Sequence, residues 1–180
     1  MRKFLFLLVV LTAFPSFAQD KSNEIRLNAF SVIAFKQLDL SYEYIISEES
    51  SVGLSLALDL DKKNRNGFFG GNTDYIITPY YRYQLPEDII DGLFLEAFLA
   101  ANGGVNKNKI ETTDTKASED EEGYEYLEYN DFAFGLGGGY KYISDGGFIA
   151  ELYGGAGRNL KGGDAPDVLV RVGVSFGFRF

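Results

Sequence analysis

The chain has 180 residues, 26 acidic against 17 basic, for a net charge of −9, and it contains neither cysteine nor histidine. The length fits one domain. Disulfides, thiol nucleophiles and iron–sulfur sites are excluded, the commonest general base and metal ligand is missing, and the acidic balance argues against a nucleic-acid partner, which needs a basic patch.

Residues 1–18 read as a secretory signal peptide. Arg2 and Lys3 form a positive start, Phe4 to Phe14 is an apolar run broken only by Thr12, and Ser16 and Ala18 are the small residues before a cut at Gln19. The run is too short for a spanning helix, which needs about 20 apolar residues. The remainder, 19–180, is expected to be one exported domain. It is rich in Gly and Tyr and has no later apolar run of spanning length, which points to strands.

Eight segments alternate apolar and polar residues, the period of a strand with two unlike faces. The first runs from Ile25 to about Phe35, with Ile25, Leu27 and Ala29 opposite Arg26 and Asn28. A tight turn is expected near Lys36 and Gln37. Leu38–Ser47 follows, with Leu38, Leu40, Tyr42, Tyr44 and Ile46 opposite Asp39, Ser41 and Glu43. In the third, Val52–Leu60, every second residue is Val or Leu. The fourth, Asp74–Gln84, sets Tyr75, Ile77, Pro79, Tyr81 and Tyr83 against Thr78, Tyr80, Arg82 and Gln84. Pro79 removes a ladder hydrogen bond, so a bulge or bend is expected there.

The fifth segment, Leu93–Asn102, sets Leu93, Leu95, Ala97 and Leu99 against Phe94, Glu96 and Phe98. A long acidic stretch, 103–130, separates it from the sixth. That stretch holds Glu111, Asp114, Glu119, Asp120, Glu121, Glu122, Glu125 and Glu128 against Lys107, Lys109 and Lys116. Clustered carboxylates can take Ca²⁺, but no Asp-x-Asp-x-Asp-Gly loop is present, and the stretch reads as a solvated loop. Its second half, with Tyr124, Tyr126, Leu127 and Tyr129, is expected to extend the flanking strands as a hairpin that could bind an extracellular protein or glycan. The sixth segment is Asp131–Ile143, the seventh Phe148–Gly157 and the eighth Asp167–Phe180. In the last, Val170, Val172, Val174, Phe176, Phe178 and Phe180 share one face. Gly135–Gly139 lies in a strand pattern with no following helix, so it reads as relief of crowding in a narrow interior rather than a phosphate loop.

Segments of about 9–11 residues or slightly more suit tilted strands that cross a bilayer, and an even count suits a closed barrel. Closure is required because an open sheet edge in lipid leaves backbone groups unpaired. Connectors alternate short (48–51, 85–91, 144–147) and long (61–73, 103–130, 158–166), as when short turns face the periplasm and long loops the outside. The expected fold is therefore an all-β, eight-stranded antiparallel up-and-down transmembrane barrel in the outer membrane.

In such a barrel the charged face points inward. Arg82, Glu96, Lys141, Glu151, Arg171 and Arg179 come from later strands, and Arg26, Asp39, Glu43 and Asp59 from earlier ones. An interior of eight strands is just wide enough for side chains to fill it, and unpaired charges there are costly, so the two signs must meet. Glu43, Arg82, Glu96, Lys141, Glu151 and Arg171 lie nearest mid-strand and are expected to form the network. A narrow water or ion path is the competing reading. Glu96 and Glu151 could be paired as an acid/base site, but they face away from any extended substrate. No catalytic, metal or cofactor-binding residue is assigned. Tyr42, Tyr44, Tyr75, Tyr81, Tyr83, Tyr140 and Tyr142 are expected in aromatic girdles at the two lipid boundaries.

The chain resembles the small eight-stranded outer-membrane barrels typified by the OmpA transmembrane domain and OmpX. More narrowly it resembles a family of short outer-membrane barrels of Bacteroidota. The residues that carry this are Leu40-Ser41-Tyr42-Glu43-Tyr44, Ser51-Val52-Gly53-Leu54-Ser55-Leu56, Thr78-Pro79-Tyr80-Tyr81-Arg82-Tyr83, Gly137-Gly138-Gly139-Tyr140-Lys141 and Gly155-Ala156-Gly157-Arg158-Asn159-Leu160. The resemblance implies outer-membrane lipid around the barrel, no enzymatic activity, and Phe176, Phe178 and Phe180 as the signal read by the barrel assembly machinery. Three functions compete: a structural or surface-interaction barrel with a closed interior, a small diffusion channel, and an outer-membrane enzyme, disfavoured by the lack of histidine.

Overall fold

The computed structural model describes residues 22–60, 72–86, 92–109, 124–162 and 165–180. The leader expected over 1–18 lies outside them, as do residues 110–123 of the acidic stretch.

Eight strands close into one antiparallel barrel in chain order: β1 (Asn23–Asn28), β2 (Gln37–Ile45), β3 (Ser50–Asp59), β4 (Asn72–Gln84), β5 (Leu93–Lys109), β6 (Tyr124–Ile143), β7 (Phe148–Asn159) and β8 (Val168–Arg179). Closure is made by β1 against β8, with Ile25 opposite Phe178 and Leu27 opposite Phe176. The strand faces follow from the alternation. Leu54, Leu56, Leu95, Leu99, Leu136, Leu152, Phe176 and their neighbours point outward and are exposed, while Arg26, Glu43, Arg82, Glu96 and Lys141 point into the lumen and are buried. A soluble protein hides its leucines; this one presents them in a continuous outer belt.

The first segment corrects the sequence reading. It stays extended only to Asn28, and Ala29–Phe35 forms a helix, α1. Asn28 sets the change: its side chain accepts from the Ser31 N–H at 3.2 Å, which satisfies an amide that a helix start leaves free. Lys36, in the left-handed region at φ 53°, ends the helix and delivers the chain straight into β2.

A second correction concerns Pro79. The bulge lies between Thr73 and Tyr75, near the loop end of β4. At Pro79 the ladder to β5 is interrupted between Ile77↔Ala101 and Tyr80↔Phe98, yet the register is the same on both sides, and Pro79 keeps its place opposite Leu54. The missing N–H costs a bond without adding a residue, so nothing shifts.

β5 and β6 extend past the fifth and sixth segments as a hairpin, as the Tyr-rich second half of the acidic stretch leads one to expect. They stay paired to Lys109↔Tyr124, a ribbon that runs four residues of β5 beyond Asn72↔Val105, the last pair that β4 makes with β5. The tyrosines are less even than expected. Tyr42, Tyr44, Tyr81, Tyr83, Tyr140 and Tyr142 are outward and exposed, and all lie toward the short-turn ends of their strands. Tyr75 lies toward the loop end, where Phe132 and Phe134 occupy the outer face.

Toward the loop end the lumen holds an apolar cluster, Tyr80, Phe98, Ala100, Ala133 and Leu169 packed together beside Ile76, with buried polar side chains such as Asn102 and Asn159 next to it. Below it the charges gather. Glycines make the room: a Cβ on Gly135 of β6 would run into the Phe98 ring, one on Gly157 of β7 would crowd it, and one on Gly53 of β3 would run into Tyr80. Phe98 and Tyr80 can therefore lie flat across a lumen that has no space for side chains on both walls.

Candidate functional site

Strand alternation points a carboxylate or cation inward from every strand, though β3 supplies only Asp59 at its loop end, and register decides which of them touch. Arg82 on β4 is directly opposite Glu96 on β5, and its Nε donates to Glu96 at 2.8 Å. The rest of its guanidinium crosses the lumen to Glu151 on β7, at 2.6 and 3.1 Å, and to Glu43 on β2, at 3.0 Å. Its planar face rests on Phe94, 4.2 Å from the ring centroid, and on Tyr80 at 4.7 Å. Ring faces carry negative potential, so they favour the buried cation where solvent is absent.

Glu43 is the opposite pole. It accepts from Arg26 at 2.6 Å, Lys141 at 2.7 Å, Ser51 at 2.7 Å and Tyr80 at 3.2 Å, in addition to Arg82. Glu96 also accepts from Arg171, whose guanidinium lies over Phe98. Lys141 and Arg26 both reach Glu24, and so does Arg179, through two nitrogens at 2.6 and 2.9 Å. The six residues expected to sit centrally, Glu43, Arg82, Glu96, Lys141, Glu151 and Arg171, are thus brought into one connected cluster, with side chains almost wholly shielded from solvent.

Sequence reasoning missed Glu24 and undervalued Arg26. Starting the first strand at Ile25 dropped Glu24, although it shares the parity of Arg26 and Asn28 opposite Ile25 and Leu27. Tyr80 was placed inward but not seen as a member; its hydroxyl accepts from Arg26 at 2.8 Å while it donates to Glu43. Asp39 belongs to a separate cluster, where it accepts from Asn28 at 2.9 Å, Ser55 at 3.0 Å and Tyr153 at 3.3 Å. Asp59 pairs in register with Gln37 at the loop end, away from the cluster.

Chemically the cluster is made for mutual neutralisation. Glu96 accepts from Arg82 and Arg171, and Glu151 accepts two bonds from Arg82, so both carboxylates are already engaged by guanidinium groups. At the short-turn end a polar vestibule, bordered by Glu48, Glu49, Gln84 and Asp145, has Lys141, Ser51 and Arg179 in its lining.

Phe176, Phe178 and Phe180 lie on the outer face of β8. Phe148 of β7 stacks on Phe176 at 6.2 Å and meets Phe178 edge-on at 5.8 Å. Phe180 exchanges backbone hydrogen bonds with Asn23, at 2.8 and 3.1 Å, and so finishes the closing ladder.

The fold is that of a known small barrel. The chain superimposes on the N-terminal β-barrel domain of Pseudomonas aeruginosa OprF with a TM-score of 0.51 and 17% identity, over 89% of this chain and 98% of that one. No protein-family model and no curated protein sequence matches the chain. The narrower resemblance, to short barrels of Bacteroidota, has no support in these comparisons.

Proposed function

We propose that this protein is an outer-membrane barrel with a closed interior, which acts as a structural element and displays its loop-end segments for surface interactions. The observation that carries the reading is the ion cluster. It spans the lumen from β2 to β7 and from β4 to β8, and its members leave almost no exposed surface. Charges that lined a water path would keep part of their hydration; here each is surrounded by protein partners.

The membrane placement rests on the outer belt. Leu, Val, Phe and Tyr cover the outward face of the strands, and a closed ladder is the form of β-sheet that hydrocarbon tolerates. Export through residues 1–18, insertion by the barrel assembly machinery through Phe176, Phe178 and Phe180, and binding of a protein or glycan by segment 103–130 complete the proposal. An enzymatic role is disfavoured because the lumen carboxylates are engaged and the chain offers no histidine.

Single-channel recording of the refolded protein, residues 19–180, in a planar bilayer tests the closed interior. Silence from protein shown to be folded is the expected result. Steady openings that scale with salt would overturn it and put the diffusion-channel reading in its place.

A further inference from the structure

From the short-turn end up to the row of Phe134, the outward positions of the strands are uncharged at every place but one. The exception is Arg158 of β7. It is exposed on the outer face, directly opposite Phe134 of β6 on one side and Val168 of β8 on the other. Both neighbours are exposed and apolar. Toward the loop end the same face continues with Leu160, whose N–H donates to Phe132 O at 2.8 Å, and then gives way to Lys161 and Asn130. Arg158 thus lies one outward row below the edge of the apolar belt. A charge there is costly unless its head reaches the boundary and finds a partner.

Lys161 stands on the same side of the wall. Its side chain is exposed, its Nζ lies 5.1 Å from the centroid of the outward Phe132 ring, and it donates to Asn130 O at 3.2 Å. Phe132 and Phe134 are successive outward residues of β6, so the two cations occupy neighbouring rows. Among the described residues, no hydrogen bond or ion pair takes up the Arg158 side chain. A guanidinium is always charged and carries five donors, so acceptors must come from outside the barrel wall.

The surface beneath is shaped as well as apolar. Below Arg158 the outer face of β7 continues with Ala156 and Gly154, and a Cβ on Gly154 would meet nothing within 4 Å. Their ladder neighbours are larger. Leu136 and Val170 flank Ala156, and Val172 lies beside Gly154. The wall therefore dips along β7 under the cations.

We propose that Arg158 and Lys161 bind an anionic lipid through its phosphate, in the leaflet at the loop end, with an acyl chain laid along the outer face of β7. The arginine fork suits two phosphate oxygens, and Lys161 adds a point charge. Charge complementarity favours this occupant: in a chain of net charge −9, two exposed cations stand together at the top of an apolar wall. A free phosphate ion would meet the cations but leave the apolar surface below them unused. The proposal rests on the membrane placement of the wall and is independent of whether the interior conducts.

The test is native mass spectrometry of residues 19–180, folded and held in a mild detergent, with dioleoyl phosphatidic acid or dioleoyl phosphatidylcholine added. The two lipids share their chains and differ in headgroup charge. Wild-type protein should retain phosphatidic acid at a concentration roughly 25-fold below that needed for phosphatidylcholine. Arg158→Gln and Lys161→Gln should each reduce that preference by roughly fivefold, and the double variant should hold the two lipids alike. Equal preference in wild type and double variant would overturn the proposal. So would displacement of the lipid by excess glycerol 3-phosphate, which would make the site one for soluble phosphate. Flotation with phosphatidylcholine vesicles separates this from the membrane reading. Protein that floats yet shows no preference refutes the lipid site alone; protein that does not float refutes the membrane placement and the site with it.

Discussion

Glu43 is where three cations converge, and that makes it the most sensitive acid in the lumen. Arg26, Arg82 and Lys141 all bond to it. Glu43→Gln keeps the shape and removes the charge, which leaves buried cations short of a partner. The expected loss is about 3 kcal/mol, read from urea unfolding in lipid vesicles, because breaking one side of a buried pair costs far more than the pair contributes. Glu48→Gln in the exposed turn should change stability by under about 0.5 kcal/mol. Gly53 makes a different demand at the same scale. Its missing Cβ is the space that Tyr80 fills, so Gly53→Ala should cost roughly 1–3 kcal/mol by overpacking. Most of that cost should vanish in a Tyr80→Ala background; an unchanged cost in the double-mutant cycle would mean that the glycine serves the backbone and not the ring.

At the scale of elements, β8 has two tasks. Its inner face supplies Arg171 to the cluster, and its C-terminal end completes the ladder with β1. Because the final backbone pair joins Phe180 to Asn23, loss of Phe180 removes closing hydrogen bonds as well as an outward ring. Deleting Phe180 should therefore slow folding into vesicles and lower the inserted yield in cells, and unchanged yield would remove the assembly role proposed for the terminal phenylalanines. Much of the element pattern was legible in the sequence, because a strand with one face in apolar surroundings and one in a polar lumen must alternate. β3 is the clearest case, with Val52, Leu54, Leu56 and Leu58 outward without interruption. α1 was not legible. Alternation lapses after Ala29, since Ser31 is the one polar residue of Ala29–Phe35, and what makes the run a helix is the short-range cap that Asn28 gives Ser31 together with the gap that β1 leaves between β8 and β2, which no local pattern carries. The ribbon of β5 and β6 was partly legible from the tyrosines near 124–129, but its pairing depends on the register carried up from the barrel.

For the whole molecule, the arrangement inverts that of a soluble protein, with charge inside and leucine outside. The closed interior we propose would isolate the cluster from the bulk solution, and this has a measurable consequence. Mobile ions screen exposed charges over about 3 Å at 1 M salt, but they reach buried pairs far less. The stability lost in Glu43→Gln should therefore agree within about 0.5 kcal/mol between 0.1 M and 1 M salt, general salt effects cancelling in the difference. A loss that shrinks steeply with salt would mean that the lumen is wet and would count against the closed interior.

The sequence by itself determined the strand count, the direction of the strand faces and most of the lumen's content, since these follow from alternation, and alternation is local; Glu24 escaped it because the first strand was begun one residue too late. It also marked the six central charged residues, because position along a strand is local too. Which charges meet was decided only by the tertiary structure. Arg82 reaches Glu96 across one ladder but Glu151 and Glu43 across the lumen, and those contacts depend on the stagger accumulated around all eight strands. The same holds for α1: its helical form is set by where β1 stops relative to β8 and β2, a relation that exists only once the barrel has closed.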